Sequence, residues 1–567
     1  MYKWRLEIEK YGDLIVRKVN RCKTVIIKGP TGCGKSTYVP TLFKNKNVAI
    51  IEPRRLAVLS LYDILKQEID NCGYKMRFNK INIDRNKNYC MLYTDGAFLA
   101  DLDLSYDIII IDEVHERSIR TDVLLMILKK RYKGKLIMMS ATLETKALEK
   151  YFEAELIDIK CKSYKVKQIC VEKPVADYIL EGFLRIKEIA KNIENDDRKD
   201  VLVFLPGIDE INEMYKLCRK IPTVKTYKIY SAMEESDQMK VFKKTHERKI
   251  ILATNVCETS LTIPSVKYVI DTGLCKNKIF KGIGYFGIQK ISKESISQRE
   301  GRCNRLGDGV CYKLYKKETE FIEGCSQIEK TELSTMILML LKNKIDITSV
   351  DFINKPPVDN LKTALSFLDD KKCVEITKVD ENIKIRITSY GKMLIQHPFD
   401  ISLSNFYECS ILNGYGKISA AIISLISLEN YNFMFYKEKQ QQSDIEYLLF
   451  IFEEYVRRDD KAEFCKKYGL PVKGMDMAYK IYKSLSKKGD KIEIDGLNNI
   501  FSRCFSHNSC LRQADGSYMV ERTGQIVWLH PSSTLFKKNF KKIVVVDFFC
   551  TTKVYCRIAG RFLKQIS

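Results

Sequence analysis

Four consecutive isoleucines, Ile108 to Ile111, run directly into Asp112 and Glu113 in the stretch SYDIIIIDEVHERS. An uninterrupted apolar run of this length, bounded by polar residues, describes a strand buried on both faces, and such strands belong to parallel sheets covered by helices. The run therefore constrains the chain to an α/β fold. Ligands in these folds sit outside the carboxyl ends of the strands. Asp112 and Glu113 stand at that end, although carboxylates at a strand terminus also serve purely structural roles.

A companion lies upstream in TVIIKGPTGCGKST. Thr24 to Lys28 reads as a short apolar strand, and Gly29 to Ser36 fits GxxxxGK[ST] in the strand-then-helix setting that pattern requires. Glycines let backbone N–H groups close around phosphate oxygens, Lys35 reaches the β and γ phosphates, and the Ser36 hydroxyl ligates Mg²⁺. The nucleotide-binding set is Gly29, Thr31, Gly32, Cys33, Gly34, Lys35, Ser36 and Thr37. An acid ending a neighbouring strand can hold the metal through its water, and a carboxylate beside it can orient and deprotonate the attacking water. Asp112 takes the first role and Glu113 the second. The implied cofactors are ATP, or any nucleoside triphosphate, and Mg²⁺.

Length and charge bound the rest. A chain of 567 residues is too long for one core, and about 100 to 200 residues per domain gives three to five domains. The net charge of +24 points to a polyanionic partner. Basic residues are spread along the chain, which predicts charged faces of folded domains and no disordered arm. No apolar run approaches a membrane span, and the N-terminal stretch mixes charged with apolar residues, so an intracellular, non-secreted protein is expected. The 19 cysteines are an odd number without a CxxC pair, as reduced thiols filling cores would be. Cys504, His507, Cys510, Cys550 and Cys556 lack zinc-knuckle spacing, and core packing is the reading preferred for them.

Together these stretches resemble the superfamily 2 helicases, and DEVH at Asp112 to His115 is similar to the signature of the DEAH-box/RNA helicase A family. Further blocks follow in that family's order. PRR at Pro53 to Arg55 and TDG at Thr94 to Gly96 resemble its nucleic-acid backbone contacts, implying Arg54 and Thr94 as RNA contacts. SAT at Ser140 to Thr142 resembles the block coupling hydrolysis to domain movement, and FLPG at Phe204 to Gly207 the opening of the second motor domain. TNVCETSLTI, from Thr254, adds a further RNA contact at Thr254. QREGRCNR resembles QRxGRxGR, and the likeness places its γ-phosphate-reaching residues at Gln298, Arg302 and Arg305. Guanidinium groups suit that chemistry, since they neutralise charge developing on the transferred phosphoryl. His115 is expected to link the acid pair to the second motor domain. Single blocks of this kind occur by chance; seven in fixed order do not.

The resemblance spans nearly the whole chain without the long N-terminal extension of many relatives. It implies two tandem RecA-like domains with parallel sheets, residues 1–162 and 163–330, followed by a winged helix (331–400), a helical ratchet domain (401–490) and an OB-like β-barrel domain (491–567). Alternating short strands and Gly turns near the C-terminus independently suit a small barrel. Residues Lys276 to Ser295 are expected to form a β-hairpin, whose Tyr285 or Phe286 could stack on a base, with a buried hairpin aromatic the preferred reading. Lys191 to Asp200 reads as a solvated helix end or loop.

Asn304 and Cys257 depart from the family pattern at a glycine and an alanine. Ile64 and Leu274 fall where many relatives place an arginine and a phenylalanine around the adenine, which predicts poor discrimination among nucleotides. The implied activity is NTP-dependent 3′-to-5′ translocation on single-stranded RNA, remodelling RNA or RNA–protein complexes in splicing or ribosome assembly. A nuclear site follows if the source is eukaryotic. The implied partners are RNA and a glycine-rich patch adaptor, with no membrane and a monomeric motor. The same motor acting on DNA or hybrids, and an NTP-switch scaffold, are the competing readings; intact Lys35, Ser36, Asp112, Glu113, Gln298, Arg302 and Arg305 argue against the scaffold.

Overall fold

The computed structural model describes residues 7–561 other than 31, 78, 142–144, 161–163, 192–198, 231–232, 234–236, 238, 244, 259–262, 282, 322–325, 380–381, 429–442, 486–487 and 551–552. Most of the loop expected at Lys191 to Asp200 therefore lies outside the described residues, as do Thr31 and Thr142. Two compact units emerge. Met1–Lys276, Gln289–Lys330 and Ser349–Pro356 form the first, and Asn277–Ile288, Thr331–Thr348 and Pro357–Ser567 the second.

The first unit opens with eight strands: β1 (Thr24–Lys28), β2 (Val48–Glu52), β3 (Cys72–Met76), β4 (Asn79–Ile81), β5 (Cys90–Thr94), β6 (Ile108–Ile111), β7 (Lys135–Ser140) and β8 (Glu155–Asp158). They form one sheet in the order β4-β3-β5-β2-β6-β7-β1-β8, and every pairing is parallel except β3 with β4. The isoleucine run explains the central position of β6. Ile108 and Ile110 enter a core with Ile27, Ile50 and Ile137, and Ile109 and Ile111 are equally buried. Each such side chain stabilises the sheet by about 1.5–3 kcal/mol. One detail differs from expectation: Asp112 does not follow the strand next to β1, because β7 pairs with both β1 and β6.

A second parallel sheet in the same unit comprises β9 (Val166–Cys170), β10 (Asp200–Phe204), β11 (Val224–Ile229), β12 (Arg248–Ala253) and β13 (Val266–Asp271). After the hairpin β14 (Leu274–Lys281) and β15 (Ile283–Lys290), the sheet is completed by β16 (Gly309–Lys313). Its order is β11-β12-β10-β13-β16-β9. Alternation along β10 shows why Val201 to Phe204 are all apolar: Val201 and Val203 enter one core, and Leu202 and Phe204 another.

In the second unit the antiparallel pair β17 (Val374–Val379) and β18 (Asn382–Ile387) accompanies helices Ser334–Lys342, Val358–Asp370 and Ser389–Leu394. Helices between Ile401 and Cys504 then gather around Phe406, Ile422, Leu448 and Phe501. The last strands are β19 (Ser509–Arg512), β20 (Tyr518–Val520), β21 (Ile526–Leu529), β22 (Lys542–Cys550) and β23 (Val554–Arg561). They pair in the ring β19-β20-β21-β23-β22 and back to β19, with β21 and β23 parallel, so the sheet closes into a five-stranded barrel. The expected hairpin forms, and β15 adds to the barrel beside β22, pairing Tyr285 with Phe548. Tyr285 is buried in the barrel core.

Candidate nucleotide-binding site

The loop after β1 turns through Gly32 and Gly34, whose φ angles of 85° and 98° lie in the left-handed region that glycine adopts without cost. Gly34 then caps the short helix Lys35–Tyr38. Lys35 is buried, and its ammonium donates to the carbonyls of Gly29 at 2.6 Å and Pro30 at 3.0 Å. Thr37 donates to the Gly34 carbonyl. The loop is tied to the sheet where Gly29 N–H donates to the Ser140 carbonyl at 3.1 Å. Although β7 intervenes, the Ser36 hydroxyl reaches Asp112 and donates to its carboxylate. The two proposed metal ligands are therefore in contact.

Three carboxylates crowd this end of the sheet. Asp112 is buried and accepts from the Glu113 N–H at 2.8 Å. Glu113 has φ 48°, a left-handed backbone that costs a non-glycine residue about 1 kcal/mol or more. Burial first, then the charge of Asp112, pushes its carboxyl up to about 8. Its Oε2 is buried without a hydrogen bond. The third acid, Glu52, ends β2; burial and the neighbouring Asp112 and Glu113 raise its carboxyl well above the usual range. Sequence reading overlooked Glu52, yet VAIIE ends in an acid just as IIIIDE does.

His115 stands 3.4 Å from Glu113 through Nε2, and its Nδ1 accepts from the Ala141 N–H at 3.4 Å. Burial lowers its ring to about 4, so it is neutral at physiological pH. Its contacts join the acid pair to the segment beginning at Ser140, within the loops of the first sheet.

Arg302 follows helix Lys293–Glu300 of the second sheet and is buried. It donates to the Glu258 carbonyl, and burial lowers its guanidinium to about 10 while the charge of Glu113 opposes that shift. The acid of the first sheet and the base of the second thus feel each other electrostatically. Gln298 and Arg305 are half-buried on the same segment. Asn304, in place of a glycine, donates to the Tyr164 carbonyl at 2.9 Å. Next to these, Arg299 forms a structural pair that the motif alone did not suggest. It is fully buried, donating to Asp271 at 2.7 Å and Glu258 at 3.1 Å, and these charges raise its guanidinium.

Of the expected RNA contacts, Arg54 pairs with Glu116 at 3.1 Å and donates to the carbonyls of Asn255 and Val256. It bridges the two sheets. Thr94 ends β5 and Thr254 follows β12, both half-buried. Ile64 is 46% exposed on helix Arg55–Leu65, and Leu274 begins β14.

A phosphate loop and an acid pair on one parallel sheet, with an arginine from a second tandem sheet in the field of those acids, define a nucleoside-triphosphate-driven motor of the RecA-like class. Residues 13–151 match the DEAD/DEAH box helicase family and residues 184–307 the helicase conserved C-terminal domain. Across its full length the chain is 30% identical to the ATP-dependent RNA helicase HrpA of Borreliella burgdorferi, covering 74% of that protein. It is 28% identical over 96% of its length to the ATP-dependent RNA helicase DHX33 of Mus musculus, covering 86% of it. The crystal structure of the Escherichia coli DEAH/RHA helicase HrpB has the same fold, with a TM-score of 0.79 at 21% identity over 99% of this chain and 71% of that one. The chain belongs to the DEAH-box family of ATP-dependent RNA helicases.

Proposed function

We propose that the protein hydrolyses ATP and other nucleoside triphosphates to step 3′ to 5′ along single-stranded RNA, remodelling RNA or RNA–protein complexes. One observation carries the hydrolytic part: Ser36, Asp112 and Glu113 converge with Lys35 at one sheet end. A hydroxyl and a carboxylate already in contact are hard oxygen donors suited to Mg²⁺. When bound, the ion neutralises charge on the phosphates. Lys35 leaves its loop carbonyls for phosphate oxygens. Glu113, with an unbonded oxygen and an elevated pKa, orients the attacking water and takes its proton. Arg302 stabilises the transferred phosphoryl, with Gln298 and Arg305 beside it, so turnover requires the two sheets together. Ser140 and Thr142 pass the nucleotide state to domain movement.

RNA as the track agrees with the relatives' names and with the excess of cations. Arg54, Thr94 and Thr254 are proposed backbone contacts, with Arg54 exchanging its carbonyl partners for phosphate. The winged helix at 331–400, the ratchet at 401–490 and the barrel domain at 491–567 would complete the track, a glycine-rich patch adaptor would supply target choice, and the motor would work as a monomer. Splicing or ribosome assembly, and a nuclear site in a eukaryote, rest on the resemblance alone.

The test is steady-state NTP hydrolysis with and without poly-U RNA or single-stranded DNA, with Glu113→Gln as the blank. Stimulation by RNA supports the reading. Equal stimulation by DNA replaces it with a general single-strand motor, and nucleotide binding without turnover replaces it with a switch.

A further inference from the structure

Strand register in the second unit brings four aromatic residues into one row. Phe286 on β15 pairs with Phe549 on β22, Phe549 with Tyr555 on β23, and Tyr555 with Trp528 on β21. Their sequence neighbours Tyr285, Phe548, Cys556 and Leu529 point into the barrel core. Because side chains alternate along a strand, the four lie on the opposite, outer wall. Each is half-exposed. Four adjacent strands at about 4.8 Å spacing make this row about 14 Å wide.

The row is ordered and carries a lysine ammonium at its Trp528 end. Phe549 and Tyr555 are stacked with ring centroids 5.6 Å apart, and His530 packs edge-on against both. The Lys553 ammonium lies 3.8 Å from the Trp528 ring centroid. Between Ser509 and Arg561 the sequence carries nine Lys and Arg against three Asp and Glu. Aromatic faces with an ammonium beside them, on a barrel of net positive sequence, match the chemistry of a single-stranded nucleic acid, whose bases stack without regard to sequence while its phosphates meet cations. An apolar protein partner would gain from the rings and nothing from the surrounding charge.

We infer that Trp528, Tyr555, Phe549 and Phe286 form a stacking surface for unpaired RNA bases on the outer wall of the barrel, with Lys553 beside it for the phosphate backbone. The inference rests on the reading of the chain as an RNA-coupled motor. It adds a grip outside the nucleotide-binding sheets, through bases and not only through phosphates.

The chain contains two tryptophans, Trp4 and Trp528, so Trp4→Phe leaves Trp528 as the sole indole. In that full-length protein a fluorescently labelled uridine oligonucleotide is titrated while binding is followed by anisotropy and stacking by indole emission. Trp528 emission is expected to fall in step with saturation, and heparin, a polyanion without bases, is expected to bind without that fall. Phe549→Leu and Tyr555→Leu, which keep an apolar side chain on the outer wall, should weaken oligonucleotide binding by about fivefold or more and leave RNA-free NTP hydrolysis unchanged. Saturated binding and RNA-stimulated hydrolysis with unchanged emission would overturn the stacking surface alone, as would equal quenching by heparin. Failure of the oligonucleotide to bind would overturn both the surface and the RNA-motor reading.

Discussion

Two charge clusters sit at the carboxyl ends of the two parallel sheets, and they are built in opposite ways. In the second sheet Arg299 is fully enclosed yet answered by Asp271 and Glu258, with Tyr315 donating to the other oxygen of Asp271 at 2.9 Å. In the first sheet Glu52, Asp112 and Glu113 press against one another, and burial raises the carboxyls of Glu52 and Glu113. A satisfied cluster stabilises its domain. A crowd of like groups costs stability when they ionise, and raised carboxyls of this kind are a mark of functional sites.

The largest expected effect lies where the clusters meet. Arg302→Ala should leave nucleotide affinity largely intact and lower RNA-stimulated kcat by about 10³-fold or more; retained turnover would detach Arg302 from the chemistry. Glu113→Gln should lower kcat by about 10²- to 10⁴-fold with nucleotide still bound. In the metal- and nucleotide-free protein the same change should raise Tm above pH 8. The wild-type carboxyl titrates near 8 when folded, against an ordinary value of 4.5, so its ionised form opposes folding there. A fall in Tm would show that the acids are not in conflict.

Arg299→Leu tests the opposite cluster, leaving Asp271 and Glu258 buried without their cation. A loss of about 3–5 kcal/mol is expected in chemical denaturation, and a smaller loss would mean that the pair contributes little. His507 gives a finer contrast in the second unit. It packs edge-on against Phe367, and burial lowers its ring to about 3 from the ordinary 6.5. Unfolded chains take up the proton first, so stability should fall as pH drops below 6.5, by at most about 1.4 kcal/mol per pH unit from this residue. His507→Phe should flatten that slope. The smallest effect concerns the base: with Ile64 and Leu274 in place of a cationic and an aromatic face, kcat/KM for ATP, GTP, CTP and UTP should agree within about tenfold. Strict ATP preference would show that another surface reads the base.

Much of the motor was written locally. The glycine-lysine-serine loop, the isoleucine strand and its acids are contiguous, and each works through its own backbone turn and hydrogen bonds. Strand β1 begins and ends where its apolar run does, at Thr24 and Lys28. Residues that depend on neighbours from elsewhere in the chain were less legible. Glu52 drew no notice in the sequence, and its place among the acids follows only from β2 and β6 lying side by side. Arg299, a motif position without an expected role, became the centre of a buried ion cluster once β13 and Glu258 enclosed it.

Sequence by itself determined the chemistry on offer: which side chains hold phosphate, which carry acid, and which strands must be buried on both faces. Tertiary structure decided which of those groups meet. Parallel strands from distant segments place their ends together, so β7 could be inserted between β1 and β6 while Ser36 still reaches Asp112. The aromatic row of the barrel is the same lesson on a surface. No spacing along the chain links Phe286, Trp528, Phe549 and Tyr555; only the register of four strands does, because lateral pairing fixes which residues share a wall.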